Sequence, residues 1–291
     1  MERRGWQDSE DEGAPRAQVQ FGLPRLTPAV KALMLVNVGL FLVSFLVYFF
    51  GRVAEQGDLW GRVFGHLFLD PQDWRAFFAG LPVWQVVTYG FLHGVTDLGH
   101  IIGNMLMLYF FGTMLEGLVG TRRFLLTYFA AMVVGAVVFL VPALVFGGVF
   151  DRPALGASGA CLGVMIAMAM LRPMSRVIVF VFPMTLRTLA LILIAFDVFG
   201  LLVTIAERAS DGTAHLVHLG GVLYAFVAVK SGLISLDPVE YIERRRAVKE
   251  VEQAASDEVR MDQLLEKIHR EGMSSLSKGE KDFLKRVSAK R

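Results

Sequence analysis

The 291-residue chain is 54% hydrophobic, has a formal net charge of +2 and contains one cysteine, Cys161. The small net charge gives no reason to expect a nucleic-acid partner, and a single cysteine excludes an intrachain disulfide or a metal site built from several cysteines. The apolar residues occur in long blocks, beyond what a soluble core of this size needs, which indicates a membrane protein.

Six apolar blocks follow one another along the chain, each near the roughly 17–25 residues that a helix needs to cross hydrocarbon. The blocks are 29–50, 98–118, 124–147, 155–171, 188–206 and 213–233. Because a segment in lipid must satisfy its own backbone hydrogen bonds, the blocks predict six transmembrane helices and an all-α polytopic membrane fold. The domain prediction is an N-terminal segment 1–28, a membrane domain 29–233 and a soluble tail 234–291.

Lysine and arginine are concentrated on one set of loops. They cluster before the first block, between the second and third, between the fourth and fifth, and after the sixth. The positive-inside rule therefore predicts that both termini are cytoplasmic. We expect an integral protein of a bacterial inner (plasma) membrane.

The first loop, 51–97, is long and carries Trp60, Trp74 and Trp84 among many Phe and Leu residues. Such a segment is typical of short amphipathic helices that lie in the outer membrane interface.

The tail is charged and has apolar residues at helical spacing in two runs. These apolar residues are Met261, Leu264, Leu265 and Ile268, then Leu276, Phe283 and Leu284. Gly272 and Ser275 separate the runs, and Ser275 or Ser277 could cap the second helix. The pattern predicts a soluble helical hairpin, with a partly ordered solvated tail as the alternative, and we expect a cytoplasmic partner for it.

Four polar side chains from three predicted helices fall at similar depth. Asn104, Ser158 and His218 each follow an aspartate by seven residues, and His100 lies one turn above Asn104. At 1.5 Å per residue, seven helical residues place a group ~10 Å below the outer loops. This coincidence predicts a polar site near the outer face, accessible to water.

Small residues on the fourth and sixth helices predict close packing at the same place. Gly159 and Gly163 form one small-xxx-small ladder and Gly221 begins another, and such ladders let helix backbones approach in lipid. Packing these faces would bring Ser158 and His218 together. Gly156, just before the serine, is included in this close-packed set.

These residues carry a family resemblance. The motifs "GASGA" at 156–160, "HIIGN" at 100–104 and "HLVHLGG" at 215–221 resemble, in order and helix number, the signatures of the rhomboid intramembrane serine proteases. The resemblance covers about 84–228. The chain departs from the family at Gln85, where an arginine often follows the tryptophan, and at Leu162, where some members have tyrosine.

The resemblance implies roles for the matching residues. Ser158 matches the nucleophile and His218 the general base, in a dyad without a carboxylate. Asn104, His100 and the backbone amide of Ser158 match the oxyanion-binding donors. No cofactor and no metal is implied. The implied substrates are single-span membrane proteins embedded in the lipid bilayer.

Asp197 lies near the middle of the fifth block, where an ionisable group costs at least ~2.5–3.5 kcal/mol. One interpretation is a carboxylate that orients His218. The other, which the implied dyad favours, is a structural carboxyl that holds the helix in the bundle, and His215 or His218 is its expected partner.

Two other function classes stay open. A catalytically silent relative would bind membrane clients without cutting them, although such relatives lack the serine or the histidine. A metal transporter or metalloprotease would use the histidines, but no H-E-x-x-H motif is present. The histidines it would use are His66, His93, His100, His215 and His218.

Overall fold

The computed structural model describes residues 24–76, 80–179, 182–208, 213–235, 253, 257 and 260–288. The predicted N-terminal segment 1–28 therefore lies outside the described residues apart from 24–28. Much of the predicted tail 234–291 lies outside them as well.

The described helices match the predicted blocks closely. In chain order they are α1 (Pro28–Val53), α2 (Leu59–Phe64), α3 (Pro71–Arg75), α4 (Gln85–Thr88), α5 (Leu98–Val119), α6 (Thr121–Phe146), α7 (Ser158–Leu171), α8 (Leu186–Glu207), α9 (His215–Lys230), α10 (260–271) and α11 (Lys278–Ser288). Among the described residues, α1, α5, α6 and α8 are long and apolar enough to cross a membrane. The prediction of a largely helical membrane protein is confirmed.

Helices α7 and α9 are apolar but short, at 14 and 16 residues. At 1.5 Å per residue they span about 21 and 24 Å, less than the roughly 30 Å of hydrocarbon in a bilayer. Helix α7 begins at Ser158 and α9 begins at His215.

One short element among the described residues is not helical. Strand β1 (Arg176–Val179) pairs antiparallel with β2 (Phe182–Thr185), with Arg176 opposite Thr185. The sequence of β1, RVIV, is rich in β-branched residues, which favour a pleated strand over a helix. The hairpin connects α7 to α8 without altering the helical bundle.

Helix α7 forms the centre of the bundle. All its residues from Gly159 to Ala169 are buried, although it is the shortest of the bundle helices. Helix α1 lies at the periphery and leaves Leu35, Leu46 and Phe50 between 51 and 64% exposed. A continuous apolar surface of this kind is suited to contact with lipid.

Glycines allow α7 and α9 to touch through their backbones. A Cβ atom added at Gly221 would lie 2.1 Å from the carbonyl oxygen of Gly159, and one added at Gly163 would lie 3.0 Å from that of Gly221. No side chain fits at the first of these contacts. The two ladders therefore face each other, and this packing sets the separation of the two helix starts.

Helix α5 contains a π-helical segment, Leu108–Gly112, between two α-helical parts. Asn104 lies on the part before the segment, and Glu116 lies on the part after it. The carboxylate of Glu116 accepts hydrogen bonds from the N–H groups of Ala29 and Val30 at 3.2 and 3.1 Å. A carboxylate at a helix N-terminus is stabilised by the helix dipole, so Glu116 anchors this half of α5 to the start of α1.

The first loop folds over the bundle as the short helices α2, α3 and α4. Gln85, which is fully buried, organises it. Its side-chain oxygen accepts from the N–H of Asp70 and from Trp74 Nε1, both at 3.1 Å. Its nitrogen donates to Asp73 at 2.7 Å and to the carbonyl of His66 at 3.3 Å. The short helices were expected, and their position in the membrane interface stays a prediction.

In the tail, α10 and α11 form a hairpin around a small apolar cluster of Leu264, Leu276 and Phe283. Leu265, one of the apolar residues at helical spacing, is 51% exposed and lies outside this cluster. Ser277 caps α11 reciprocally with Glu280, since each accepts from the other's backbone N–H. These bonds and Lys267 lower the pKa of Glu280 to about 2.

Candidate functional site

Ser158 is the first residue of α7 and does not lie within a longer helix that starts near 155. The residues before it are irregular and buried at Ala154 and Ala157, and Leu69 pairs with Ala154 in an isolated bridge. The helical path expected over the seven residues before Ser158 is therefore wrong. The chain reaches Ser158 through a loop held by this bridge, and irregular backbone is tolerated where protein and a cavity surround it.

Gly156 makes this loop possible. Its φ is +122°, a conformation that residues with a side chain rarely adopt. A Cβ atom here would also lie 2.6 Å from Cε1 of His100. Its N–H donates to the carbonyl of Tyr89 at 2.9 Å. Gly156 thus turns the chain into α7 and leaves space for the His100 ring beside Ser158.

A chain of hydrogen bonds leads from Ser158 into the bundle. The hydroxyl of Ser158 donates to Nε2 of His218 at 2.7 Å. Nδ1 of His218 donates to Oδ1 of Asp197 at 2.7 Å, and Nδ1 of His215 donates to the same oxygen at 2.9 Å. The three residues come from α7, α9 and α8, and His215 adds a second contact from α9. Both expected partners of Asp197, His215 and His218, therefore bind it.

Helix α8 approaches α9 closely at Gly200, which faces His215. A Cβ atom at Gly200 would lie 2.3 Å from Cε1 and Nε2 of the His215 ring. Gly200 therefore provides the space in which His215 reaches Asp197. Gly200 was not among the residues expected at the site, although its position one turn after Asp197 on the same helix is a usable signal.

On the other side of Ser158, Asn104 and His100 project from α5. Asn104 is buried, and its Nδ2 lies 3.0 Å from Nε2 of His93. Burial lowers the pKa of His93 to about 4, so the ring is neutral near pH 7 and can accept from the amide. The second amide hydrogen of Asn104 stays available to a ligand. From the sequence, His93 was considered only as a histidine of the metal-site alternative, so its contact with Asn104 was missed.

The histidines do not form one group among the described residues. His93 and His100 stack edge to face with ring centroids 5.2 Å apart, and His215 and His218 share Asp197. His66 lies in the first loop, where its carbonyl binds Trp84 and Gln85. A five-histidine metal centre is therefore incompatible with this fold.

A cavity of about 470 Å³ opens onto the site. Ser158, His218, His215 and His100 line its polar side, and an apolar side includes Phe139, Val149, Phe150 and Leu155. Asp97 and Arg152 place charges on its lining. The cavity leaves space next to the serine hydroxyl for water or a bound molecule.

The arrangement contains the parts of a nucleophilic site. A serine hydroxyl is a weak nucleophile until a base accepts its proton, and an imidazole within hydrogen-bond reach is such a base. A carboxylate on the far nitrogen fixes the ring orientation and stabilises the imidazolium. His100 from α5 lines the same cavity as Ser158 at the start of α7, and hydrogen-bond donors at such a wall can bind a negatively charged oxygen.

Two protein families match separate parts of the chain. The family model of the Rhomboid domain matches residues 81–232, and a family of unknown function (DUF6576) matches 251–290. Over 156 residues the chain is 33% identical to the RHOMBOID-like protein 12, mitochondrial, of Arabidopsis thaliana. This match covers 49% of the present chain and 44% of that protein. The match thus spans less than half of the relative's length. Because the Rhomboid domain accounts for more than half of the 291 residues, the chain belongs to the rhomboid family.

Proposed function

We propose that this protein is an intramembrane serine endopeptidase that hydrolyses peptide bonds in or near the transmembrane segments of membrane proteins. The observation that carries the proposal is the 2.7 Å hydrogen bond between Ser158 Oγ and His218 Nε2 at the wall of the cavity. A nucleophile within reach of its base, in a water-accessible pocket, is what acyl transfer requires.

In the proposed reaction, Ser158 Oγ attacks the scissile carbonyl carbon while its proton passes to Nε2 of His218. The imidazolium keeps its Nδ1–H bonded to Asp197. Collapse of the tetrahedral intermediate breaks the C–N bond, and the proton on Nε2 moves to the leaving amine. Water from the cavity then attacks the acyl-enzyme while Nε2 takes one of its protons. The ester C–O bond breaks, the proton on Nε2 returns to Ser158 Oγ, and the new carboxyl end is released.

The oxyanion of the intermediate would be bound by three donors: the Ser158 backbone N–H, the Asn104 amide and the His100 ring. His93 supports this role, because it occupies one hydrogen of the Asn104 amide and fixes the direction of the other. Asn104 and His100 are one turn apart on α5, so both can reach one point. Preorganised donors are effective because they need no reorientation during the reaction.

The proposed topology has six membrane crossings, with α7 and α9 as short crossings inside the bundle. Both termini would be cytoplasmic and the cavity would open to the outer side of a bacterial inner membrane. The name of the Arabidopsis relative assigns that protein to mitochondria. Reporter fusions at each loop test the topology, and a cytoplasmic signal from the 147–157 loop contradicts it.

The direct test is incubation of a single-span membrane protein with the purified protein in detergent, beside the Ser158→Ala variant. We expect two fragments from the wild type and none from the variant. An intact substrate that co-purifies equally with both proteins would instead identify a catalytically silent, client-binding rhomboid.

Replacement of the proposed oxyanion donor gives a graded prediction. We expect Asn104→Ala to lower kcat by about 10²-fold, since two donors remain. Labelling of Ser158 by a fluorophosphonate should stay detectable. Asn37→Ala is the matched control, because Asn37 is a buried asparagine on α1 that donates to Leu33. Unchanged kinetics in both Asn104→Ala and His100→Ala would remove these residues from the site.

Truncation tests whether the tail is separable. The α10–α11 hairpin has its own apolar cluster, so we expect deletion of residues 240–291 to leave membrane insertion and cleavage within about twofold of the full chain. Cleavage kinetics and size-exclusion chromatography in detergent provide the measurement. Loss of insertion on truncation would show that the tail is part of the membrane fold.

A further inference from the structure

Two histidines direct the same type of ring nitrogen at one carboxylate oxygen. Nδ1 of His215 and Nδ1 of His218 lie 2.9 and 2.7 Å from Oδ1 of Asp197. One ligand atom from each of the three residues lies within 4.8 Å of the other two. The proposed peptidase reaction uses Asp197 and His218 but leaves His215 without a chemical role.

Two imidazole nitrogens and one carboxylate oxygen are ligands that zinc(II) prefers. Zinc binds these atoms at about 2.0–2.2 Å, usually as three protein ligands plus one water in an open site. Asp197 Oδ1 now stands where the two nitrogens converge. A zinc ion would take that position if the carboxylate withdrew through a rotation of its side chain and remained as the third ligand.

The cluster is accessible from two cavities. The cavity of about 470 Å³ includes His215 and His218 in its wall, and a second of about 430 Å³ includes both histidines and Asp197. The side chains of the three residues are between 9 and 17% exposed. An ion and its water ligand can therefore reach the site without unfolding of α8 or α9.

We propose that Asp197, His215 and His218 form a zinc(II) site whose occupation inactivates the protein. A neutral imidazole that binds metal through Nδ1 carries its hydrogen on Nε2. Nε2 of His218 then donates to Ser158 and can no longer accept the hydroxyl proton. Zinc would thus inhibit by tautomer exchange at the base, and it has no part in the proposed reaction itself.

Zinc binding can be tested without reference to activity. The full-length Ser158→Ala variant in detergent keeps all three ligands, and competition with a fluorescent zinc chelator measures its affinity. We expect one zinc ion per chain in this site. Adding His215→Gln or Asp197→Asn should weaken binding by at least about tenfold, since even loss of a residue behind a ligand costs that much. His66→Gln is the matched control and should not change it.

Two results would overturn the site. One is the absence of zinc binding by Ser158→Ala when size-exclusion chromatography shows that it is folded. The other is binding that survives both His215→Gln and Asp197→Asn but is lost in His93→Gln, which would move the ion to the His93–His100 pair. Asp197→Asn preserves the size of the side chain. Weaker zinc binding by this variant therefore reports the lost ligand even if His215→Gln does not fold.

The inhibitory part of the inference rests on the proposed peptidase function and has its own readout. Micromolar zinc should stop cleavage by the wild type, and EDTA should restore it. Cleavage that is insensitive to zinc at saturation of the site would refute the inhibition. Failure of the wild type to cleave any substrate would refute the peptidase proposal, whereas the binding result for Ser158→Ala would be unaffected.

Discussion

Ser158→Ala and His218→Ala should each lower kcat for a single-span substrate by about 10⁶-fold, as loss of the nucleophile or base does in soluble serine proteases. The hydroxyl and the imidazole share one proton across 2.7 Å, so neither can function without the other. The double variant should therefore be no slower than either single one. Quantitative electrophoresis of cleavage products gives the rates.

The controls for this experiment are Ser231→Ala and His66→Ala. The hydroxyl of Ser231 donates to the carbonyl of Val227 at the end of α9, and His66 lies in the first loop. Both variants should cleave like the wild type. If all variants insert into the membrane and elute from size-exclusion chromatography in the same way, the loss of cleavage is due to the missing reactive group and not to misfolding. Substantial cleavage by Ser158→Ala would eliminate the serine mechanism.

Asp197→Asn should lower kcat by up to about 10⁴-fold, the loss seen when a serine protease triad exchanges its aspartate for asparagine. The amide of the introduced asparagine can donate to Nδ1 of His218, which favours the tautomer with its hydrogen on Nε2. A neutral amide also does not stabilise the imidazolium. The variant keeps the size and hydrogen-bonding capacity of the side chain, so the bundle should remain folded. Single-turnover kinetics in detergent measure the chemical step.

The alternative for Asp197 is a structural carboxyl, which the sequence favoured because the family resemblance implies a dyad. That interpretation predicts near-normal kcat and a shifted Tm for Asp197→Asn. The matched control is Asp58→Asn, since Asp58 caps α2 by accepting from the N–H of Gly61 and is not part of the cavity lining. Wild-type turnover by Asp197→Asn would exclude a role in catalysis.

The helical fold was predictable because hydrocarbon imposes a simple rule on the chain. Each apolar block had to become a helix, and the block limits agree with those of α1, α5 and α8 within about three residues. Many residues of the candidate site were also predictable from the sequence, since small and polar residues recur at fixed spacing. The glycine ladders predicted the contact that brings α7 against α9, with Gly221 directly on Gly159.

Other features depend on tertiary contacts that no single segment encodes. The start of α7 at Ser158 follows from the positive φ of Gly156 and from the bridge between Leu69 and Ala154, which are far apart in sequence. Similarly, the position of Asp197 along the fifth helix was predictable from the sequence, but its simultaneous bonds to both histidines depend on the rotation of α8 about its axis. Hydropathy does not define that rotation, because lipid and protein neighbours are both apolar.

The π-helical segment Leu108–Gly112 has a consequence for insertions and deletions. A π-helical turn holds about one residue more than an α-helical turn, because its hydrogen bonds run from i to i+5. Loss of one residue from the segment would therefore convert it to α-helix and leave Asn104 and His100 facing nearly the same way relative to Glu116. Loss of one residue elsewhere in α5 would instead turn its two ends by 100° relative to each other. The π-helical segment is thus the place where α5 can lose a residue without turning Asn104 and His100 away from Ser158.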